Sequence, residues 1–125
     1  MEDQRIWAFE ESLWTEGREN YQAKIDDECV MVLPQPPYVY KAQEAIDAVS
    51  DTPRWESVAF SEQQVMRPQE GLIVIAYRAK ASRGEETYEA HCTTTMHRLG
   101  HDDWKVVQHQ QTPPLVSSLA VDSRE

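Results

Sequence analysis

Residues 104–114 read Trp-Lys-Val-Val-Gln-His-Gln-Gln-Thr-Pro-Pro, a stretch that begins apolar, becomes polar and stops at a proline pair. The pattern is typical of a β-strand over residues 104–112, in which alternate side chains point to opposite faces. One face would carry Trp104, Val106, Gln108 and Gln110, and the other Lys105, Val107, His109 and Gln111. Three glutamines and a histidine in one strand indicate that a face is solvated or that its polar side chains line something. We interpret the stretch as the last strand of a curved sheet.

The second half of the chain predicts four long antiparallel strands, of which this stretch is the last. Their expected ranges are 55–67, 72–82, 87–98 and 104–112. A change of apolar phase between Phe60 and Val65 indicates a bulge in the first of them. Arg83-Gly84 is typical of a tight hairpin turn.

The first half predicts three helices, over residues 2–16, 18–25 and 42–50, because apolar residues recur there at helical spacing. A polar turn at 26–28, a strand at 29–33 and a short strand at 38–40 lie between the second and third helices. This order predicts an α+β domain with helices on one face of a strongly curved sheet. We expect a single domain over residues 1–114 and a loose C-terminal tail over 115–125.

The charge balance argues against two classes of partner. The chain has 12 basic and 22 acidic residues, a formal net charge of -10. No basic surface is available for nucleic acid, and an anionic membrane would repel the chain. Cys29 and Cys92 have no metal-ligand spacing and are expected to be reduced, buried thiols. With an acidic N-terminus unlike a signal peptide, these features predict a cytoplasmic protein.

Several short motifs, spread over residues 6 to 114, together resemble one superfamily. They are Leu13-Trp14 before Gly17, Tyr21, the Asp-Asp-Glu-Cys-Val-Met-Val-Leu-Pro of residues 26–34, Glu44-Ala45-Ile46, Pro53-Arg54-Trp55, Ala76-Tyr77-Arg78-Ala79, and Trp-x-x-x-x-His-Gln-Gln-Thr-Pro at residues 104–113. The chain resembles the nuclear transport factor 2-like superfamily, which includes ketosteroid isomerase, SnoaL-like polyketide cyclases and the kinase association domain. Within it, the likeness is closest to small bacterial proteins of a domain family of unknown function.

The resemblance implies a cone-shaped fold, with three N-terminal helices packed on a curved, mainly antiparallel sheet and a pocket between them. It also implies a homodimer that packs through the convex face of the sheet. It implies no particular reaction, because this fold hosts enzymes, binding proteins and scaffolds.

The register of the last two strands predicts which residues share a face, and the resemblance implies which of the two faces lines the pocket. A turn at residues 100–103 places Thr95 opposite Gln108 and Thr93 opposite Gln110. We expect this face to line the pocket, and the face of Thr94 and His109 to form the dimer contact. A register shift of one residue would exchange the two faces. The predicted ligand-binding residues are Tyr21, Trp55, Arg78, His91, Thr93, Thr95, Gln108 and Gln110.

His91 is the candidate catalytic base, since the pKa of a histidine lies near neutrality. The alternative is a polar side chain paired with Tyr77 or Glu89. His109 has the same two interpretations, and its expected position on the other face favours a structural role. Arg78 either pairs with Glu89 across the hairpin or binds an anionic ligand group in the pocket.

Isomerase chemistry is only partly matched by these residues. Ketosteroid isomerase uses a tyrosine and a protonated acid to hold an oxyanion, with an aspartate as the base. Tyr21 lies near the corresponding helix, but the central strands offer no acid at a convincing place. Asp26 and Asp27 are expected to be turn and cap residues.

Neither a cofactor nor a metal is expected. The four glycines are isolated, so no nucleotide-binding loop is present, and no Cys-x-x-Cys pair occurs. His97 and His101 flank a turn without a third ligand.

The sequence therefore leaves three functions open. The first is a small-molecule-binding protein with a partly apolar, polar-tipped pocket. The second is a cofactor-independent acid-base enzyme, such as an isomerase, cyclase or hydratase, acting on a small hydrophobic substrate. The third is a purely structural association module. A titratable group with a displaced pKa inside the cavity would favour the enzyme.

Overall fold

The structure is a computed structural model that describes residues 1–114. The helices are α1 (Asp3–Thr15), α2 (Arg18–Lys24) and α3 (Ala42–Ser50). The strands are β1 (Ile25–Val32), β2 (Val39–Lys41), β3 (Ser57–Gln69), β4 (Leu72–Arg83), β5 (Glu86–Gly100) and β6 (Asp103–Thr112). The predicted α+β class and the order of the elements are confirmed. The predicted C-terminal tail lies outside the described residues.

The six strands form a single sheet in the order β2-β1-β6-β5-β4-β3. Neighbouring strands are antiparallel except β1 and β6, which run parallel. Strand β6 is therefore an interior strand, with β1 on one side and β5 on the other. Among the helices of residues 1–114, none has the length and apolar character needed to cross a membrane.

The predicted polar turn at residues 26–28 is instead part of β1. Ile25 pairs with Val106 and Val30 with Gln108, so the segment between Ile25 and Val30 bulges out of the strand. The Asp26 carboxylate accepts the backbone N–H of Glu28 at 2.8 Å. The polar residues thus make a local turn-like bond without ending the strand, because β6 holds the chain on both sides of the bulge.

The helices pack on one face of the sheet, and this face carries the core. Strand β4 contributes alternate buried residues from Ile73 to Ala81, and α1 contributes Ile6, Leu13 and Trp14. Cys29 and Cys92 are free and buried, as predicted. Small and apolar side chains on this face let the helices approach the strands closely.

The predicted register between β5 and β6 is confirmed. The prediction of which side chains face the helices is wrong. Thr95 pairs with Gln108 and Thr93 with Gln110. It is Thr94 and His109, both buried, that face the helices. The intervening residues on the two strands therefore point away from the helices.

A bulge in β6 explains part of this error. Thr95 pairs with Gln108, yet Met96 pairs with Val106, which leaves Val107 as an extra residue. One extra residue reverses the alternation of side chains beyond it. Val106 and His109 therefore share the helix-facing side, although strict alternation would separate them.

Candidate functional site

A cavity of about 270 Å³ lies between the helices and the sheet. Its walls come from the end of α1, from α2 and α3, and from β1, β6 and the hairpin that joins β4 to β5. The aromatic side chains that line it are Trp14, Tyr21, Tyr40, Trp55 and Tyr88. The polar and charged ones include Gln35, Arg54, Arg83, Glu86, His109 and Gln111. An apolar wall with a few polar groups is the usual make-up of a small-molecule site.

One wall of the cavity is a stack of aromatic rings from distant parts of the chain. Trp55 and Tyr88 stack with ring centroids 5.8 Å apart and 14° between their planes. Trp14 approaches Tyr88 with centroids 6.2 Å apart. The Arg83 guanidinium lies 4.2 Å above the Trp55 ring. Rigid aromatic surfaces of this kind give a ligand contact area at little cost in conformational entropy.

Tyr21, which the sequence predicted for the pocket, lies on another wall. Its hydroxyl donates a hydrogen bond to the Met31 sulfur at 3.1 Å. Burial raises the pKa of Tyr21, so the phenol stays neutral. The guanidinium of Arg54 lies 5.7 Å from the centre of the same ring. Tyr21 therefore contributes an aromatic ring to the cavity wall, and its hydroxyl is already hydrogen-bonded to Met31. Arg54 is the positively charged residue beside this ring.

Glu10 is a fully buried acid on α1, in the layer between this helix and the sheet. Its Oε2 accepts hydrogen bonds from the Tyr77 hydroxyl and, at 2.6 Å, from the Thr94 hydroxyl. Trp14 Nε1 in turn donates to the Tyr77 hydroxyl at 3.1 Å. The other carboxyl oxygen, Oε1, has no hydrogen-bond partner within residues 1–114.

Burial raises the pKa of Glu10 from its ordinary 4.5 to about 7, although the hydrogen bonds from Thr94 and Tyr77 act in the opposite direction. An unpartnered buried oxygen fits this shift, because a carboxylate would leave charge on it without a donor. Glu10 thus changes protonation state near neutral pH.

His109 connects Glu10 with the cavity. Its Nδ1 lies 2.7 Å from Thr94 Oγ1, and its Nε2 lies 3.1 Å from the amide nitrogen of Gln111. The Gln111 amide oxygen accepts the Tyr88 hydroxyl at 2.8 Å, which turns the amide nitrogen towards the ring. This network assigns the imidazole proton to Nδ1, so the ring donates to Thr94 and the Thr94 hydroxyl donates to Glu10.

Burial also lowers the pKa of His109 from 6.5 to about 4, so the ring is neutral at physiological pH. His109 Nδ1 approaches Glu10 Oε2 to 3.7 Å. This approach is not an ion pair, because both pKa shifts favour the uncharged groups. The arrangement is a hydrogen-bonded chain from a cavity-lining imidazole to a buried acid.

Comparison with known proteins gives similarity in structure only. No protein-family model matches the chain, and no curated protein matches its sequence. A candidate ketosteroid isomerase from Parabacteroides distasonis is similar, with a TM-score of 0.77, 13% identity, and coverage of 90% of this chain and 87% of that one. An NTF2-like protein of unknown function in nutrient uptake from Rhodospirillum rubrum gives a TM-score of 0.72 and 18% identity, covering 90% and 95%.

The chain has the nuclear transport factor 2-like fold. The association domain of CaMKII from C. elegans shares it, with a TM-score of 0.69, 15% identity, and coverage of 87% and 90%. Proteins with this fold thus include a candidate enzyme, an association domain and proteins of unknown function. The fold provides a cavity, and the side chains that line the cavity determine what chemistry it can perform.

Within this nuclear transport factor 2-like fold, most of the predicted pocket residues lie on the sheet face opposite the cavity. Thr93, Thr95 and Gln108 form a ladder there, in which Thr95 donates to the Gln108 amide oxygen at 2.9 Å and Gln108 donates to Thr93 at 3.2 Å. Gln110 extends the same row. Of the eight predicted ligand-binding residues, only Tyr21 and Trp55 line the helix-side cavity.

The predicted base His91 is also on the outer face, where its side chain is 57% exposed. Its Nε2 lies 3.8 Å from Glu62, which is a different partner from the two that the sequence suggested. Arg78 pairs with Glu89, as its structural interpretation predicted, and lies 3.7 Å from Glu62. Arg78 is therefore outside the cavity and cannot bind a ligand held there.

Glu10 was not among the predicted site residues, although its position in the sequence is unusual for an acid. Glu10 occupies the same helical stripe as Ile6, Leu13 and Trp14, where an acid is out of place. A charged residue at a core position of an amphipathic helix is rarely buried unless it is partnered or functional. His109 was considered but assigned to the wrong face, and Arg54 appeared only as part of a motif.

Proposed function

We propose that this protein binds a small, largely apolar molecule with a polar tip in the cavity between the helices and the sheet. The observation that carries the proposal is the 270 Å³ cavity with its stacked aromatic wall, beside which Arg54, His109 and Gln111 supply polar groups. Apolar surface would contribute most of the affinity, and the few polar groups would set the orientation of the ligand.

A large side chain that fills the cavity should abolish binding of the small molecule. Ala48 lines the cavity on α3, and Ala48→Trp would place an indole inside it. We expect wild-type protein to gain thermal stability with at least one member of a panel of steroids, aromatic polyketides, fatty acids and small carboxylates. A ligand at about 100 times its dissociation constant stabilises a fold by roughly 2.7 kcal/mol, which shifts the melting midpoint measurably. Ala48→Trp should remove that shift.

The matched control is Ala8→Trp, an exposed alanine on α1 that does not line the cavity. This variant should keep the full ligand-induced shift. Equal shifts in wild type and Ala48→Trp would place the ligand elsewhere and contradict the proposal. A flat response to the whole panel would favour an association module instead.

Association is the second candidate function, and we propose a homodimer through the sheet face turned away from the helices. No helix within residues 1–114 covers this face, and Val30 and Val32 are 45% and 40% exposed on it. We expect sedimentation equilibrium at micromolar concentration to give twice the mass of one chain. Val30→Lys should shift the equilibrium towards monomer, because a lysine there would be buried unpaired. A monomeric wild-type protein would refute this interface.

A further inference from the structure

We propose that Arg54 binds the carboxylate of an aromatic acid in the cavity, while the ring of that acid packs against the wall formed by Trp55 and Tyr88. The ligand class is a monocarboxylate with one flat aromatic ring system. This inference rests on the proposed function, since the acid occupies the same cavity, and it adds the chemical identity of the polar tip.

Arg54 differs from the other arginines of the described chain in having no acidic partner. Residues 1–114 contain seven arginines. Six of them lie within salt-bridge distance of a carboxylate, namely Arg5, Arg18, Arg67, Arg78, Arg83 and Arg98. The chain has 22 acidic residues against 12 basic ones, so acids are in excess. The guanidinium that faces none of them within residues 1–114 is the one beside the aromatic cavity, and its charge is available to an anionic ligand.

Neutral backbone groups hold this guanidinium in place. Arg54 Nε donates to the Glu16 carbonyl oxygen at 2.9 Å, and Nη2 donates to the Leu13 carbonyl oxygen. A guanidinium has five N–H donors, so three of them have no partner among residues 1–114. The two bonds fix the side chain before a ligand arrives, which lowers the entropy lost on binding.

The charges around the cavity favour a ligand with a single negative charge. Among residues 1–114, the charged side chains that line the cavity are Arg54, Arg83 and Glu86. Arg83 and Glu86 neutralise each other at 2.8 Å. His109 is neutral at physiological pH, because burial lowers its pKa to about 4. One positive charge therefore remains, and one carboxylate would balance it.

Arg54 is also partly withdrawn from water. Burial lowers the pKa of Arg54; Tyr21 acts in the opposite direction, and the charge of Arg83 adds to the lowering. A charge pair formed where water is partly excluded is stronger than the same pair in bulk solvent. The planar guanidinium can also donate two parallel hydrogen bonds to one carboxylate, a geometry that a carboxamide cannot fully accept.

The aromatic half of the ligand is indicated by the wall. Trp55 and Tyr88 stack with 14° between their ring planes, and Trp14 lies beside Tyr88. Aromatic surfaces of this kind pack best against another flat ring. An aryl carboxylate or arylalkyl carboxylate combines such a ring with the charge that Arg54 lacks.

The test uses pairs of probes that differ only in charge, measured by isothermal titration calorimetry. The pairs are 2-naphthoate with 2-naphthamide, and indole-3-acetate with indole-3-acetamide. We expect wild type to bind the carboxylate of at least one pair about tenfold or more tightly than its amide, because hydrogen bonds to charged groups are the stronger ones. Arg54→Gln should weaken carboxylate binding by about tenfold or more and change amide binding by less than about threefold.

This comparison separates ligand binding from a structural role. Arg54 also bonds to the end of α1, and damage there would weaken the binding of acid and amide equally. Equal losses would therefore overturn the proposal. Arg54→Lys, which keeps the charge but not the fork of donors, should give a carboxylate affinity between those of wild type and Arg54→Gln. The preference of wild type for acid over amide is measured without any variant, so it decides the matter even if Arg54→Gln does not fold.

The matched control is Arg5→Gln, which removes an exposed arginine that pairs with Asp102 at 3.1 Å and does not line the cavity. It should bind both members of each pair as wild type does, and an equal loss there would contradict the assignment to Arg54. Tighter binding of 2-naphthyl phosphate than of 2-naphthoate would replace the carboxylate with a phosphate and overturn the proposed class.

Failure of this inference is distinguishable from failure of the proposed function. If wild type binds a neutral member of the thermal-shift panel in the cavity but prefers neither carboxylate, the inference is overturned and the binding function stands. If neither the probes nor any panel compound binds, the binding function itself fails.

Discussion

Replacement of Trp104 by alanine is expected to destabilise the fold by about 3–5 kcal/mol, the usual cost of removing a buried indole. Trp104 is 8% exposed, belongs to the core cluster, and lies at the start of the interior strand β6. The Arg98 guanidinium lies 5.8 Å from the centre of its ring. Truncation would leave a cavity that neighbouring strands cannot close, because they hold each other in register.

Urea denaturation with fluorescence and circular dichroism would measure this loss. Trp55→Ala is the matched control, since this half-buried tryptophan lines the ligand cavity and should cost less free energy of unfolding. A Trp104→Ala protein with wild-type stability would show that β6 is misplaced. That result would also undermine the position assigned to His109, which lies on the same strand.

The pH dependence of stability should change when Glu10 is replaced by glutamine. The unfolded chain releases the Glu10 proton near pH 4.5, whereas the folded protein keeps it to about pH 7. Raising the pH through this window therefore favours the unfolded state, and the loss is complete above about pH 7. At about 1.4 kcal/mol per pKa unit, Glu10 lowers the free energy of unfolding of the wild type by roughly 3 kcal/mol at pH 8 relative to pH 4.

His109 acts in the opposite direction. Its folded pKa of about 4 lies below its ordinary 6.5, so stability is lost as the pH falls from 6.5 to 4. The two contributions largely cancel in the wild type. The groups that face Glu10 are the Tyr77 and Thr94 hydroxyls, His109 and the Cys92 thiol.

The expected result is therefore a difference between variant and wild type in how the free energy of unfolding depends on pH. The free energy of unfolding of Glu10→Gln minus that of wild type should grow by roughly 3 kcal/mol between pH 4 and pH 8. His109→Gln should change in the opposite sense, gaining on wild type as the pH falls. Glu11→Gln, an exposed neighbour on α1, is the control. A Glu10→Gln difference that stays constant with pH would show that Glu10 ionises at its ordinary value.

Much of the candidate site could not be predicted from the sequence, because its residues are distant in the sequence and meet only in the folded protein. Tyr21 could be placed at a pocket through the resemblance to ketosteroid isomerase, and Trp55 because aromatic side chains commonly form the apolar wall of a pocket. Glu10 and His109 are separated by 98 intervening residues, and nothing local to either one predicts the 3.7 Å approach between them. Their contact depends on helix α1 packing over the interior of the sheet.

The features that follow from the sequence alone are local. Apolar periodicity and turn residues located the helices and strands, including α3 at Ala42–Ser50, and the turn at residues 100–103 set the pairing of Thr95 with Gln108. Tertiary structure decided which face of the sheet the helices cover. Side chains alternate with a period of two, so packing selects between two opposite sets of residues, and the extra Val107 reverses the alternation within β6. That choice placed His109, rather than His91, on the helix-facing side, where its Nδ1 lies 3.7 Å from Glu10 Oε2.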